Sequence, residues 1–267
     1  MQNHKDLSSQ TKNNILDIQN LEISFANKKV VKGISFHIEE GQTYALVGES
    51  GSGKSLTCSA VLGLLPTNAQ VTGSIKFFGQ ELLNNNKLLS QTRGRQIAYI
   101  PQNPITSLNP VKTVKEHLYE TLNCYFPNLS KNEVKDQAKK LLDDVQLKDS
   151  EKVLNSFAFE LSGGMCQRVM IALALAGNPK LLLADEPTTA LDVTIQAEIM
   201  SLLLETIKER NFSMLLITHD LALVAQTCQK VSVIEAGQIH ETNETNKLFI
   251  APEADYTKKL LKATQLV

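Results

Sequence analysis

Gly48-Glu-Ser-Gly-Ser-Gly-Lys54-Ser55 lies between an apolar run, Thr43–Val47, and a helical pattern over Lys54–Leu65 that stops at Pro66. The stretch matches G-x-x-x-x-G-K-[ST] in full, in the strand–loop–helix context that this pattern requires. Its glycines let backbone N–H groups turn inward around a polyphosphate, and the start of the helix adds a partial positive charge. The stretch therefore predicts a site for a nucleoside triphosphate without specifying the base. A chance glycine-rich turn is the alternative.

Within this loop, two side chains are predicted to act directly on the nucleotide. Lys54 would place a positive charge between the β- and γ-phosphates, and Ser55 would offer its hydroxyl to Mg²⁺. We expect the loop's contacts with the triphosphate to come from Gly48, Glu49, Ser50, Gly51, Ser52, Gly53, Lys54, Ser55 and Leu56.

Two adjacent carboxylates end another apolar run, Leu181-Leu-Leu-Ala-Asp185-Glu186-Pro187. Ligands gather at the C-terminal ends of parallel strands, so we expect Asp185 to face the loop and hold Mg²⁺, directly or through water. Glu186 would accept a proton from the attacking water. His219, after the run Met214–Thr218, could reach the γ-phosphate or orient that water. The alternatives are a polar turn for the carboxylates and a structural role for the histidine.

Strand and helix patterns alternate along most of the chain, which is typical of a mostly parallel α/β sheet. Helical patterns broken by prolines between residues 101 and 177 indicate a helical insertion, and no internal repeat is visible. The predicted strands are Leu21–Phe25, Val30–Ile38, Thr43–Val47, Val71–Phe78, Gln96–Ile100, Lys180–Ala184, Ser213–Ile217 and Val231–Ile234. The predicted helices are Lys54–Leu65, Val114–Leu122, Lys131–Val145, Gly164–Ala176, Ile195–Arg210 and Leu221–Thr227.

Composition narrows the class of protein. The 267 residues carry a formal net charge of −1 and are 42% hydrophobic, which favours a globular chain and argues against a dedicated nucleic-acid binder. The four cysteines are widely spaced, which argues against a zinc site or a disulfide framework. No apolar run reaches the roughly 20 residues that span a bilayer, so we expect any membrane link to go through a partner. Residues 1–14 are polar and are predicted to form a disordered tail.

Leu161-Ser162-Gly163-Gly164-Met165 precedes a long helical pattern and so predicts a second helix start with exposed N–H groups. The loop at 48–55 already provides a phosphate site within this chain. A second phosphate-binding segment therefore suggests that it serves a nucleotide held by another subunit. An ordinary helix start with Ser162 as N-cap is the alternative.

Together these motifs resemble the nucleotide-binding domain of ABC transporters, in the order that the family has them. Residues 48–55 resemble the Walker A loop, residues 181–185 resemble Walker B with Glu186 as the catalytic glutamate, and residues 161–165 resemble the ABC signature. The resemblance implies three further roles. Gln102 would be the Q-loop glutamine that touches Mg²⁺, Asp192 would belong to the D-loop and His219 would be the H-switch. Phe25 lies where the family stacks an aromatic ring on adenine.

The resemblance implies a P-loop NTPase fold with a RecA-like core, a small antiparallel β subdomain and an inserted helical subdomain near residues 104–176. The ATP-binding domain would span residues 15–250, followed by a short helical segment at 251–267. Two such subunits would hold two ATP·Mg²⁺ head to tail, each ATP lying between one subunit's Lys54 loop and the other's residues 162–164. Glu186, His219 and Lys54 would be catalytic, and Ser55, Gln102 and Asp185 would hold Mg²⁺.

The implied partners are a second ATP-binding subunit, either a paralogue or another copy, two membrane permeases and, indirectly, an extracytoplasmic solute-binding protein. No nucleic acid is expected, and the chain would sit peripherally on the cytoplasmic face of the inner membrane. Residues 103–110, 161–175, 185–196 and 252–261 are similar to the peptide and nickel importer subfamily. The sequence lacks a cysteine-containing C-terminal extension, so the expected cargo is nickel, a metal chelate or a short peptide, with the short form closest to nickel members.

The sequence departs from the subfamily's usual residues at Phe157-Ala-Phe-Glu160, at Cys166 and at Ala254-Asp255, none of them a nucleotide contact. The main alternative function is a nontransport ABC ATPase in DNA repair or translation, which typically has tandem domains or long insertions. A GTPase switch would need a guanine-binding N-K-x-D segment that the sequence lacks. A catalytically inactive regulatory subunit would not need the intact Lys54 and Glu186.

Overall fold

The structure is a computed structural model that describes residues 13–26, 28–189 and 191–264. Its strands are β1 (Asn14–Phe25), β2 (Lys28–Glu39), β3 (Thr43–Val47), β4 (Ala69–Phe77), β5 (Gln80–Glu81), β6 (Ile97–Ile100), β7 (Leu181–Asp185), β8 (Ser213–Thr218), β9 (Lys230–Glu235) and β10 (Gln238–Glu244). Its helices are α1 (Lys54–Leu62), α2 (Asn86–Thr92), α3 (Pro104–Ser107), α4 (Val114–Tyr125), α5 (Lys131–Asp144), α6 (Ser150–Asn155), α7 (Gly163–Leu175), α8 (Val193–Arg210), α9 (Leu221–Thr227), α10 (Thr245–Ile250) and α11 (Asp255–Ala263). A 3₁₀ turn covers Ala158–Glu160.

The central sheet brings together the loops that carry the chemistry. Its order among the described strands is β10-β9-β3-β8-β7-β6, and all neighbours are parallel except β10 and β9. Strands β3, β7 and β8 are buried along their whole length, because parallel strands are covered on both faces. In this register Val47 lies beside Thr218, and Asp185 lies beside Ile217. The chain therefore leaves all three strands at the same edge of the sheet.

A smaller antiparallel sheet, β2-β1-β4-β5, packs against the central sheet. Strand β1 alternates in burial, but the alternation shifts between Ile18 and Leu21 at an irregularity that includes Asn20, whose φ is +47°. The shift keeps Leu16, Ile18, Leu21 and Ile23 on the buried side.

These two sheets and their helices confirm the predicted fold class, an α/β P-loop architecture with a small β subdomain. Residues 1–12 of the predicted tail lie outside the described residues. The tail's predicted end at residue 14 is wrong, because Asn14 begins β1 and pairs with Glu39. Helix α1 also ends earlier than predicted: Gly63 takes the left-handed conformation that closes a helix, so Pro66 is not the stop. Strand β10 was not predicted, because its sequence is mostly polar.

Helices α3 to α7 form a helical subdomain between β6 and β7. Its helices α4 and α5 each begin with a capping box, Thr113 with Glu116 and Ser130 with Glu133, which satisfies the first free N–H groups. Arg168 of α7 donates to the Val145 carbonyl at 2.9 Å. Within the described residues, no helix is long and apolar enough to cross a membrane.

The buried carboxylate of Glu241 on β10 hydrogen-bonds the backbone just before helix α11. Glu241 accepts the backbone N–H of Glu253 at 3.1 Å and that of Ala254 at 3.0 Å, just before the helix begins. Burial opposes ionisation of this side chain, but the hydrogen bonds from the backbone of Ala254 and Glu253 hold the pKa of Glu241 below its usual 4.5. The ionised form therefore stabilises the folded state.

Replacing Glu241 with Gln is expected to lower the free energy of unfolding at neutral pH by about 1–3 kcal/mol, because hydrogen bonds to a charged acceptor are lost. The folded-state pKa is depressed, so the stabilisation is complete above pH 4.5 and fades as the pH falls through the folded-state value. Thermal unfolding of both proteins at neutral and acid pH tests this. The exposed Glu244→Gln on the same strand is the control, and equal stability of Glu241→Gln at neutral pH would contradict the prediction.

Candidate functional site

The phosphate-binding loop, residues 48–53, can hold only glycine at two of its positions. A Cβ on Gly48 would lie 2.0 Å from the carbonyl oxygen of Ile234 on β9. Gly53 has a φ of +103°, and a Cβ there would lie 2.9 Å from Val31 Cγ2. The loop therefore packs tightly against both sheets while its N–H groups remain at the C-terminal edge of β3.

Lys54 is the first residue of α1 and only 5% exposed. Its ammonium donates to the carbonyl oxygens of Gly48 at 2.7 Å and Glu49 at 2.8 Å, so it lies inside the curve of the loop. Burial lowers the pKa of Lys54, while the nearby carboxylates of Glu186 and Asp185 oppose that shift. The pKa of Lys54 therefore depends on the charges of Glu186 and Asp185, which lie close to the loop.

Asp185 ends β7 directly beside the start of α1. The Ser55 hydroxyl donates to Asp185 Oδ1 at 3.0 Å, and the Tyr99 hydroxyl donates to Oδ2 at 3.2 Å. The carboxylate is 3% exposed, and burial raises its pKa. A buried carboxylate next to a hydroxyl supplies the oxygen ligands that Mg²⁺ prefers, so these residues fit that ion.

The Glu186 side chain joins three segments of the chain. Its Oε2 accepts from Gln102 Nε2 at 2.9 Å and from Thr189 Oγ1 at 2.9 Å, and its Oε1 lies 3.2 Å from His219 Nδ1. Burial opposes ionisation, but hydrogen bonds from Thr189 and His219 hold the pKa of Glu186 below its usual range. The side chain is therefore ionised at neutral pH and able to accept a proton.

The backbone of Glu186 is unusual as well. Its φ is +46°, a left-handed conformation that costs free energy for a non-glycine residue. Its N–H donates to the Ile217 carbonyl at 2.8 Å, which continues the hydrogen bonding of the sheet by one residue beyond β7. The strained turn directs the carboxylate toward Gln102 and His219 rather than back along the strand.

Residues 161–165 form the start of helix α7 in the helical subdomain. Ser162 is the N-cap of α7 and accepts the N–H of Met165 at 3.3 Å. A Cβ on Gly163 would meet Leu191 at 3.5 Å, and one on Gly164 would meet Ile195 at 2.8 Å. Among the described residues, no hydrogen bond or ion pair joins this segment to the phosphate-binding loop.

Two other predicted site residues have visible local roles. Asp192 is the N-cap of α8 and accepts the N–H of Ile195 at 3.0 Å. Phe25 ends β1, half-buried beside Ala69 of β4. At one of the departures from the subfamily, Cys166 is buried and its thiol donates to the Ala158 carbonyl at 3.3 Å.

Sequence reasoning missed Tyr99 and Thr189, which contact Asp185 and Glu186 respectively. Tyr99 falls within the predicted strand Gln96–Ile100, whose pattern says nothing about its hydroxyl. Its hydroxyl could have been noticed because it lies three residues before Gln102 at the C-terminal end of β6. Thr189 lies three residues after Glu186 in a turn, a spacing at which side chains often bond back to the turn.

Comparison with known proteins identifies relatives of the whole chain. The sequence profile of the ABC transporter family matches residues 31–189. The oligopeptide transport ATP-binding protein AppD of Bacillus subtilis is 43% identical over 95% of this chain and 79% of its own length. OppD of Salmonella typhimurium, also an oligopeptide transport ATP-binding protein, is 44% identical over 95% of this chain and 77% of its own. The dipeptide transport ATP-binding protein DppD of Haemophilus influenzae is 44% identical over 93% and 77%.

Solved structures show the same architecture. The ATP-binding cassette MJ0796, a dimer in a post-hydrolysis state bound to ADP and Pi, has a TM-score of 0.75 and 26% identity over 86% of this chain and 98% of that chain. The protein cbiO1 from Clostridium perfringens, part of the ABC transporter complex cbiONQ, has a TM-score of 0.75 and 25% identity over 96% of both chains.

Proposed function

Because this chain belongs to the ABC transporter family as an ATP-binding subunit with ATPase activity, we propose that it drives the uptake of short peptides through separate membrane permeases. One observation carries the ATP-hydrolysis part of the proposal: the ionised carboxylate of Glu186 links Gln102 and His219 at the strand edge where Lys54, Ser55 and Asp185 also lie. Phosphoryl transfer to water requires groups that bind phosphate, groups that hold Mg²⁺ and a base for the water, and all of these lie at this edge of the sheet.

The chemistry follows from the positions of these side chains. The loop's N–H groups and Lys54 would bind the β- and γ-phosphates, and Ser55, Asp185 and Gln102 would hold Mg²⁺. Bound there, the ion would neutralise charge on the phosphate oxygens. Glu186 would accept the proton of the attacking water, while His219, which is 63% exposed, would orient Glu186 and reach the γ-phosphate.

We further propose that the complete pocket needs a second subunit. Residues 161–165 contain the start of α7, where Ser162 already caps the Met165 N–H, and the other N–H groups of the first turn would form an anion site for a nucleotide held by another subunit. The similar cassette MJ0796 is dimeric and binds ADP and Pi. In a head-to-tail pair, residues 162–164 of each subunit would close on the other's γ-phosphate, Asp192 would lie at the interface and Phe25 would stack on adenine.

The partners would be a paralogous ATPase or a second copy, two permeases and, through them, an extracytoplasmic solute-binding protein. The chain would then lie on the cytoplasmic face of the cell membrane, the inner membrane of a Gram-negative cell. A nucleic acid is not among the proposed partners. The nontransport alternative gains no support from the relatives, whose names refer to transport.

The proposed cargo is a dipeptide or oligopeptide. The relatives are 43–44% identical over nearly all of this chain and are named for oligopeptide or dipeptide transport. Their names support a peptide as the cargo. The expectation of nickel or a metal chelate as cargo gains no support from these relatives.

Uptake in cells that make the chain tests the cargo. Deleting its gene is expected to abolish uptake of labelled short peptides and to leave uptake of radioactive nickel unchanged. The wild-type gene should restore peptide uptake, whereas the Glu186→Gln variant at equal abundance should not. Loss of nickel uptake with normal peptide uptake would overturn the proposed cargo, and normal uptake of both would overturn the role in import.

A further inference from the structure

The residues Phe157-Ala-Phe-Glu160 depart from the subfamily's usual sequence, and the proposed hydrolysis uses none of them. Phe159 is 71% exposed, which makes it the most exposed phenylalanine of the described residues. Its ring is nearly parallel to that of Phe157, with the centroids 5.4 Å apart and the planes 8° from each other. One face of the Phe159 ring is therefore backed by a second ring, and the other is free for a further flat partner.

The turn that carries Phe159 is held by hydrogen bonds along its backbone. The Phe157 N–H donates to Glu160 Oε2 at 2.8 Å, and the Glu160 N–H donates to the Phe157 carbonyl at 3.0 Å. The thiol of Cys166 on α7 donates to the carbonyl of Ala158 at 3.3 Å. Because the turn is already ordered, stacking a ligand on Phe159 would cost little further conformational entropy.

This turn leads directly into the start of α7, which would close on the γ-phosphate of the nucleotide held by the partner subunit. Phe159 precedes Ser162, the N-cap of α7, by three residues, so their backbones lie at most about 11 Å apart. A nucleoside triphosphate whose γ-phosphate lies at Ser162 is long enough to bring its base to a ring at that distance. The free face of Phe159 is thus within reach of that base.

We propose that Phe159 stacks on the adenine of the nucleotide that the partner subunit holds, so that this chain contacts the base as well as the γ-phosphate. The inference rests on the proposed shared pocket. Every base has a π face, so the contact strengthens pairing of the two subunits without selecting one base over another. Phe159 touches no reacting atom, and its effect is on ATP-driven pairing rather than on proton transfer.

The test is Phe159→Leu in the Glu186→Gln background, in which ATP should assemble the ATPase pair without being hydrolysed. The chain is mixed with its partner ATPase, and pairing is measured against ATP concentration. We expect the concentration for half-maximal pairing to rise about 5- to 100-fold, the range for one lost base stack. Phe159→Tyr keeps the ring and should restore most of the pairing.

Two further measurements separate stacking from a general defect. ATP binding by the isolated Phe159→Leu chain should equal that of the parent, because the ring serves a nucleotide held by the other subunit. Its unfolding temperature should also stay the same, because substitutions at exposed positions usually change stability little.

Phe126→Leu is the matched control, the same substitution at another exposed phenylalanine of the helical subdomain. Helix α4 begins after Thr113, which forms a bridge with Phe157, and Phe126 follows its last turn. The 12 residues of α4 span about 18 Å, so Phe126 lies far from the turn at Phe159. Phe126→Leu should therefore leave ATP-driven pairing unchanged.

Unchanged pairing in Phe159→Leu would overturn this inference alone, and if peptide uptake were lost at the same time, the ring would be assigned to a contact with the permeases. Equal losses in Phe159→Leu and Phe159→Tyr would also overturn it, because the second variant keeps the aromatic ring. Failure of the Glu186→Gln parent to pair in ATP would overturn the shared pocket along with it.

Discussion

Replacing Glu186 with Gln is expected to reduce ATP hydrolysis by about 10²- to 10⁴-fold, the contribution of a general base. The amide cannot accept the proton of the attacking water, yet it has nearly the same size. It can still accept from Gln102 and Thr189, which now bond to Oε2 at 2.9 Å each. The turn at Glu186 should keep its shape, so ATP should bind with nearly unchanged affinity.

Steady-state phosphate release and equilibrium ATP binding measure the two halves of this prediction. Glu205→Gln, the same change at an exposed position on α8, is the control and should hydrolyse ATP as the parent does. Parent-like turnover by Glu186→Gln would exclude Glu186 as the base. Loss of ATP binding would show that the carboxylate holds the nucleotide rather than activates water.

Replacing Gly163 with Asp is expected to reduce hydrolysis by about 10²-fold or more, comparable to losing one preorganised donor at a developing charge. Gly163 begins α7, and a Cβ there would make only ordinary contact with Leu191 at 3.5 Å. A carboxylate in the first turn of a helix also favours the helix. The variant should therefore fold normally but repel the γ-phosphate that the partner subunit presents.

Gly163→Ala separates charge from bulk and should retain much of the parent's turnover, because its Cβ fits the same space. ATP binding by the isolated Gly163→Asp chain should equal that of the parent, since among the described residues no hydrogen bond or ion pair joins residues 161–165 to the phosphate-binding loop. In the Glu186→Gln background, ATP should assemble the ATPase pair, and adding Gly163→Asp should abolish that assembly. Full activity of Gly163→Asp, or full turnover by a strictly monomeric sample, would contradict the shared pocket.

The sequence alone was enough to predict the fold class and the strand–loop–helix structure around residues 48–55. Residues 48–55 combine spacing and flanking patterns that allow one kind of local structure, since Gly48 and Gly53 occupy positions where a Cβ would collide. The runs before Gly48, before Glu186 and before His219 are apolar because parallel strands are buried on both faces. Such local rules also placed Asp185 and Glu186 at a strand end.

Only the tertiary structure decided which side chains meet. Tyr99 pairs with Asp185, and Gln102 pairs with Glu186, across separations in the chain for which no local pattern carries information. The start of β1 at Asn14 and the existence of β10 were likewise set by partner strands, because a polar sequence pairs when a neighbouring edge is available. Spacing along a chain reports local geometry, whereas contacts between distant segments depend on how the sheets and helices pack.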